Sequence, residues 1–326
     1  MTSYIVRRLL YAVPILIGVN AITFALFFVV NPPERMARRI LGEKNVTPAQ
    51  VQAWLADRGY DVPLFVNPNA KGAGRLVETV FFRKSLTLLW LDFGTSDRNN
   101  VSIGGQIRER MWPSLTITVP MMILSLLLYM SGALLVAWAR GTYLDTGAVI
   151  VCVVAMSVSA LFYIVGGQWI VSRVLHLAPI SGYDTGLHAL KFLWLPVLIG
   201  IVRGAGGDIR FYRTVFLEEM GKDYVRTARA KGASEARVLF RHVLRNALIP
   251  VLTGVVTEIP FLFMGSLLLE TFFAIPGLGS FLIDAIQAQD FAIVRAEVYL
   301  GSVLYVLGLI LTDVSYTIAD PRVRLS

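Results

Sequence analysis

The sequence predicts an all-α membrane protein that crosses the bilayer six times, and three observations carry this prediction. Of its 326 residues, 56% are hydrophobic and 16% are charged, and the mean hydropathy is +0.64. This composition is too apolar for a soluble domain of that length. The apolar residues form runs of about 20 residues, the length that crosses a hydrocarbon core. Lysine and arginine stand beside these runs, as they do in short cytoplasmic loops.

The first predicted span, residues 9–30, follows Arg7 and Arg8. It is longer than the apolar part of a secretory signal, and no small-residue cleavage site follows it, so we expect a retained helix with a cytoplasmic N-terminus. Six spans would place both termini and the most basic loop on the cytoplasmic side. The other predicted spans are residues 115–137, 146–171, from about 190 onward, 248–268 and 293–318.

A polar insertion separates the first two spans. Residues 47–50, TPAQ, form a capping box with proline at the first helical position, which predicts a short helix. That helix would carry Val51, Trp54 and Leu55 and end near Gly59. The chain therefore divides into an N-terminal segment with the first span (1–30), an external insertion (31–112) and a core (113–326).

Composition also argues against several functions. The net charge of +8 could indicate a nucleic-acid partner, but membrane topology accounts for cations beside apolar runs, so we expect none. The single cysteine, Cys152, allows no intrachain disulfide and no thiolate metal cluster. No histidine has a second ligand at metal spacing, and no G-x-x-x-x-G-K-S/T sequence occurs. We expect no metal, no cofactor and no nucleotide site in this chain.

Charged residues inside the predicted spans indicate a pathway for solute. Arg203 and Asp208 lie in the fourth span and Glu258 in the fifth. An ionisable side chain at membrane depth costs about 2.5–3.5 kcal/mol on insertion scales and faces protein or a water-filled cavity. In one interpretation Arg203 points into the pathway, where it gates or selects cargo with a carboxylate, or pairs with Asp208 or Glu258. In the other, the span ends early and Arg203 marks its cytoplasmic edge.

The loop at about residues 216–247, between the fourth and fifth spans, is the most informative stretch. Gly232 and Ser234 interrupt its helical pattern, because glycine weakens a helix by about 1 kcal/mol relative to alanine and suits a C-terminal cap. Two helices are therefore predicted to meet there. A basic helix of this kind could lie on anionic headgroups or dock on a protein. Within it, residues 224–250 hold six cations: Arg226, Arg229, Lys231, Arg237, Arg241 and Arg245.

Within this loop, DYVRTARAKG followed by RHVLRNALIPVLT resembles the cytoplasmic loop of ABC importer permeases of the dipeptide/oligopeptide/nickel family. The more general importer motif begins Glu-Ala-Ala, where this chain has Arg226-Thr227-Ala228. The resemblance implies that the first helix, about 222–231, is a coupling helix that docks on a separate ATPase subunit. The residues implied in docking are Asp223, Tyr224, Arg226, Thr227, Ala228, Lys231 and Gly232.

Three further motifs support the resemblance. Residues 270–279 resemble the family's Glu-x-x-Phe-x-x-Pro-Gly-Leu-Gly, residues 320–324 its terminal Asp-Pro-Arg sequence, and residues 91–96 its Gly-Asp-Leu-Gly-x-Ser, with Leu91 in place of the first glycine. The first motif is expected near the outer gate, with glycines in tight, left-handed geometry. The predicted pathway and gate residues are Arg203, Asp208, Glu258, Glu270, Pro276, Gly277 and Gly279.

The resemblance implies the type I importer (MetI-like) fold with a periplasmic insertion between helices 1 and 2, in the cell inner membrane. It also implies a second, related permease, two ATPase subunits that bind ATP and Mg²⁺, and a periplasmic or lipid-anchored solute-binding protein. The expected cargo is a di- or oligopeptide, although the family also moves nickel chelates, some sugars and antibiotic peptides. A secondary transporter would share the spans without needing the loop sequence. An enzyme would need a constellation of acids or histidines that this sequence does not offer.

Overall fold

The computed structural model describes residues 2–42 and 46–319, and the terminal motif at 320–324 lies outside them. The described residues form α-helices joined by loops, short 3₁₀ turns and π-helical turns, with one isolated β-bridge between Thr95 and Ser102. In chain order the α-helices are α1 Thr2–Phe24, α2 Pro33–Leu41, α3 Pro48–Arg58, α4 Gly74–Val77, α5 Ile103–Trp138, α6 Tyr143–Ser157, α7 Ala160–Gln168, α8 Leu190–Met220, α9 Asp223–Ala230, α10 Glu235–Arg237, α11 Leu244–Glu258, α12 Leu267–Phe273, α13 Leu278–Ala288 and α14 Phe291–Ala319.

The helices confirm an all-α membrane protein. Among the described residues, five helical stretches are long and apolar enough to cross a bilayer, and the bent pair α6 and α7 brings the number to six if it counts as one span. The five are Arg7–Val29, Ile103–Trp138, Leu190–Met220, Pro250–Phe272 and Phe291–Ser315.

The third predicted span, 146–171, is not one straight helix but the bent pair α6 and α7. α6 and α7 meet at an angle of 91°, because Val158 and Ser159 have extended backbones with ψ of 129° and 144°. A break of this kind frees backbone carbonyls that lipid cannot satisfy. The Ala155 carbonyl beside the break accepts from the Tyr163 hydroxyl at 2.8 Å and from the Val158 amide at 3.3 Å, so it is satisfied within the protein.

The second helix extends beyond the predicted span, and the fourth begins where it was predicted. α5 begins at Ile103 rather than near 115, within the predicted insertion, because its first turns are polar and a search for apolar runs misses them. α8 continues without a break from Leu190 to Met220. The helix therefore does not end at Arg203, and the two interpretations of that residue stay predictions.

The chain divides into two compact units, and the first comprises residues 1–110 and 281–310. Its core is aromatic, with Phe24, Phe28, Trp54 and Tyr60 among the buried residues. The predicted capping box is confirmed: Thr47 caps α3 and exchanges hydrogen bonds with Gln50. Val51, Trp54 and Leu55 are buried, and Gly59 ends the helix with φ of +68°.

A buried polar cluster in this unit holds the loop after residue 91. Asp97 accepts a hydrogen bond of 2.6 Å from the Tyr60 hydroxyl, and burial raises the pKa of the Asp97 carboxyl. Asp290 accepts from the Ser96 hydroxyl and from the Asp97 amide. Leu91, which stands where the family motif has glycine, has a left-handed φ of +60°, a conformation that strains a residue with a Cβ.

The second unit comprises residues 111–280 and, among the described residues of the C-terminal helix, 311–319. Its residues pack into two apolar clusters, one around Ile199 and Phe273 and the other around Phe216 and Val225. The second cluster includes residues of α9 and so fixes the base of the predicted coupling helix on α8.

Candidate functional site

The loop between α8 and α11 forms two short helices with a glycine turn between them, as predicted. Gly232 has φ of +78°, and its amide donates to the Arg229 carbonyl at 2.9 Å, which closes the end of α9. α9 buries Val225 and Ala228 against the core. Its opposite face stays open, because the side chains of Asp223 and Arg226 are 95% and 74% exposed.

Glu219, near the end of α8, anchors the start of α9. Its carboxylate accepts from the Tyr224 hydroxyl and forms an ion pair with Lys222. Burial, with the hydrogen bond to Glu219 contributing, raises the pKa of Tyr224 to about 12. On the far side of the turn, Arg229 makes a two-pronged ion pair with Glu235, at 2.8 and 3.1 Å. These contacts hold α9 in one orientation relative to α8.

A cleft of about 380 Å³ opens between α9 and the segment that follows the glycine turn. Five of the seven predicted coupling residues line it: Tyr224, Thr227, Ala228, Lys231 and Gly232.

The other two predicted coupling residues, Asp223 and Arg226, lie on the open face of α9 and pair with each other at 3.5 Å. The predicted coupling set did not include Glu219, nor the cleft residues Arg237 and His242. The unusual burial of Glu219, 8% exposed at the start of a basic loop, is visible only in the fold.

A second cavity, of about 320 Å³, lies among α5, α8 and the fifth span. Arg203, Asp208 and Glu258 all line it. The sequence predicted these three but missed the rest of the wall, which combines hydroxyl groups with flexible apolar side chains. That wall includes Thr118, Met121, Met122, Ser125, Tyr129, Phe261 and Leu262.

Two glycines of α8 bring α5 close enough to form this wall. A Cβ at Gly204 would lie 2.6 Å from the Tyr129 hydroxyl, and a Cβ at Gly200 would overlap the Met121 sulfur. Glycines spaced four apart allow helices in a membrane to approach closely. The Tyr129 hydroxyl also donates to the Ile201 carbonyl, which fixes the ring beside the cavity.

The fifth span is interrupted next to the cavity. α11 ends at Glu258 and gives way to a 3₁₀ segment, Ile259–Met264, and then to Gly265 with φ of +70°. The Thr118 hydroxyl donates to the Leu262 carbonyl at 2.9 Å. Irregular backbone at membrane depth is tolerated where it is buried in protein or lines a cavity, and residues 258, 261 and 262 line this one.

Glu270, predicted for the gate, does not line the cavity; it lies fully buried in the short helix α12, beside the cavity. Its carboxylate accepts from the Ser266 amide at 3.0 Å and the Ser280 amide at 3.1 Å. The Ser114 hydroxyl also hydrogen-bonds to it and itself accepts from the Leu278 amide at 2.8 Å. We name this group the Glu270 cluster: Glu270, Ser114, Ser266 and Ser280 with the backbone of 277–279.

The glycines of the Pro-Gly-Leu-Gly motif do not have left-handed backbones, so that part of the prediction was wrong. The left-handed residues here are Ala274 and Gly265. Gly277 and Gly279 are required for space, because a Cβ at either position would meet the Glu270 carboxylate. The predicted pathway set thus falls into two groups, three charged residues around the cavity and the Glu270 cluster beside Pro276.

Residues 114–325 match the family described as the inner membrane component of binding-protein-dependent transport systems. The chain belongs to this family. Residues 1–118 match the N-terminal membrane component of the same kind of system. The chain is therefore a multi-pass permease subunit of an ABC importer in the inner membrane, not an enzyme, and it works with ATPase and substrate-binding subunits.

Relatives of the permease match along nearly its whole length. The glutathione transport system permease protein GsiC of Salmonella paratyphi A is 33% identical over 325 residues, 99% of both chains. The dipeptide transport system permease proteins DppB of Alkalihalophilus pseudofirmus and Escherichia coli are 29% and 28% identical, over 99% of this chain and 100% and 99% of theirs. The family assignment excludes the secondary transporter and enzyme alternatives.

Proposed function

We propose that this permease imports di- or oligopeptides and that its partner in the membrane is a second, related but non-identical permease. The names of the relatives support the cargo, because dipeptides and glutathione are both short peptides. The cavity of about 320 Å³ is at the small end of the range for small-molecule sites, roughly 300–1,000 Å³. A solute of two or three residues suits that size.

The observation that carries the coupling part of the proposal is the cleft beside Gly232, lined by five of the residues implied in docking. The ATPase subunits, which bind ATP and Mg²⁺ in place of this chain, dock there and on the open face of α9. Glu219 ties α9 to the end of α8, and α8 is one helix that also carries Arg203 and Asp208. Movement of α9 therefore reaches the cavity through a single rigid element, and alternating access follows.

Two glycines with the same backbone geometry test the docking surface. Gly232 and Gly141 both have φ of +78°, and neither has an atom within 4 Å of an added Cβ. Gly232→Asp and Gly141→Asp therefore impose the same backbone strain, but only the first places a side chain in the cleft. Each tagged variant is purified from native membranes in mild detergent, and the copurifying proteins are identified by mass spectrometry.

We expect the wild type and Gly141→Asp to retain both an ATPase and a second permease, and Gly232→Asp to lose the ATPase while keeping the permease. Equal retention of the ATPase by both variants would show that the cleft is not part of the docking surface. Recovery of this chain as the sole permease would contradict the proposal of a non-identical partner. Uptake of a labelled dipeptide by vesicles that contain the whole complex, with and without internal ATP, tests the cargo.

The orientation forms part of the same proposal, with both termini and the basic loop in the cytoplasm and the insertion outside. The excess of arginine and lysine in the loop supports it. In a Cys152→Ser background, an impermeant maleimide applied to spheroplasts should label Asn99→Cys, and should label Thr2→Cys and Ser326→Cys only after lysis. Labelling of either terminus without lysis would contradict this topology and would place that terminus outside.

A further inference from the structure

On the helices of the second unit, some charged residues form ion pairs and others do not. Arg213 of α8 forms a two-pronged ion pair with Asp145, both contacts at 2.8 Å, and both side chains are largely buried. Arg203, Asp208 and Glu258 are exposed on the cavity wall and take part in no ion pair or side-chain hydrogen bond among the described residues. The chain thus makes a structural pair on α8 yet leaves these three charges unpaired.

We propose that these three side chains form a site that recognises both termini of a short zwitterionic peptide, with Arg203 for the α-carboxylate and Asp208 with Glu258 for the α-ammonium. This inference rests on the proposed peptide cargo and assigns part of the selectivity to the permease itself. A simple anion would face two carboxylates, and a simple cation would face Arg203. A molecule with both charges on a short body satisfies all three groups, since charge-assisted hydrogen bonds are among the strongest available.

The rest of the wall suits a peptide whose side chains vary. Met121 and Phe261 offer apolar surface, and methionine adapts its shape to different neighbours. The hydroxyls of Thr118 and Ser125 already donate to backbone carbonyls and can accept hydrogen bonds from polar atoms of the peptide. Two carboxylates against one guanidinium leave the wall with a net charge of −1. The site therefore favours a free amino terminus and disfavours acidic peptide side chains.

The test compares three cargoes in vesicles that contain the complete transporter with its binding protein: dialanine, N-acetyl-dialanine and dialanine amide. Each initial uptake rate is divided by the affinity of the isolated binding protein for the same peptide, which isolates the contribution of the permease. In Asp208→Asn/Glu258→Gln we expect the preference for dialanine over its N-acetyl form to fall about tenfold. Arg203→Gln should lower the preference over the amide by about the same factor and leave the N-terminal preference unchanged.

Matched controls come from the same helix outside the cavity. Arg210→Gln and Glu218→Gln remove one charge of each sign from exposed positions of α8 and should leave both preferences at wild-type values. Unchanged preferences in the cavity variants would overturn the site while peptide import stands. A wild-type complex that hydrolyses ATP but imports none of the three peptides would overturn the proposed cargo itself.

A second measurement tests the same site without removing any of the three charges, in case the variants that remove them fail to assemble. In a Cys152→Ser background, Ser125→Cys places a thiol on the cavity wall of the complete transporter. Dialanine should slow alkylation of this cysteine at least threefold more than N-acetyl-dialanine amide does at the same concentration. Equal protection by the two peptides would overturn the site.

Discussion

The Glu270 cluster makes a quantitative prediction, because one buried carboxylate there organises donors from three parts of the chain. Glu270→Gln keeps the size of the side chain but replaces one acceptor oxygen with an NH₂ group. That group would face the Ser266 or the Ser280 amide, both of which donate to the carboxylate. A hydrogen bond to a charged group contributes about 1.5–3 kcal/mol, and an unsatisfied buried donor costs about 1–3 kcal/mol. We expect a loss of about 3 kcal/mol.

Gly277→Ala should cause a loss of similar size by a different route, because its Cβ would occupy the position of the Glu270 carboxylate oxygen. Since both changes break the same cluster, their effects should not add. The double variant should lose about 4 kcal/mol rather than 6, which is a coupling of about 2 kcal/mol, within the range for residues that share a network.

The assay is the apparent melting temperature of the detergent-purified complex. A loss of about 3 kcal/mol corresponds to a decrease of about 6–12 °C. Glu218→Gln, at an exposed position near the end of α8, is the matched control and should stay within about 1 °C of wild type. The reasoning is refuted if Glu270→Gln melts within about 2 °C of wild type, or if the two single effects add in the double variant.

Three further outcomes follow from contacts described above. Leu91→Gly should stabilise the protein by about 0.5–1 kcal/mol and so raise the melting temperature slightly, because it relieves a left-handed backbone at a half-exposed side chain. A decrease in the melting temperature would show that the contacts of the leucine side chain outweigh the strain. Asp145→Asn should cost about 3 kcal/mol in the same assay, because Arg213 is left buried without its partner; Arg210→Gln, at an exposed position, should cost under 1 kcal/mol. The pKa of Tyr224 is raised from 10.0 to about 12, so folding favours its neutral form, and the stability that it contributes is complete below pH 10 and lost as the pH rises through 12. The alkaline absorbance titration of the wild type minus that of Tyr224→Phe should show one tyrosine that ionises near pH 12. Ionisation of this tyrosine near pH 10 would contradict the hydrogen bond to Glu219.

Features encoded within a few residues could be predicted from the sequence. The capping box at Thr47 and the turn at Gly232 depend on local hydrogen bonds and on a single φ angle, and both lie where the pattern placed them. The number of spans depends only on the length of apolar runs, which is also local. Arg203, Asp208 and Glu258 were found because charges in apolar runs stand out, and the fold brings all three to one cavity.

Features that depend on distant residues could not be predicted in this way. The break at Val158 lies in a continuous apolar run, and the Tyr163 hydroxyl that donates to the Ala155 carbonyl beside the break belongs to the next helix. The motif glycines were assigned to backbone flexibility because the carboxylate that needs their space approaches only in the folded chain. Glu219 gives no signal in a charged loop, since its burial results from packing between α8 and α9.

The long separations within these polar contacts bear on the order in which the permease can be built during synthesis. Leu278 lies 164 residues after the Ser114 hydroxyl to which it donates, and Arg213 lies 68 residues after Asp145. While the ribosome is still making α6 and α7, Arg213 has not been synthesised and Asp145 lacks this partner. The Glu270 cluster forms later still, when the exit of the fifth span emerges. The residues of the Asp145–Arg213 pair are thus all synthesised before those of the Glu270 cluster, so a ribosome stalled between those points leaves a permease in which the ion pair can form and the Glu270 cluster cannot.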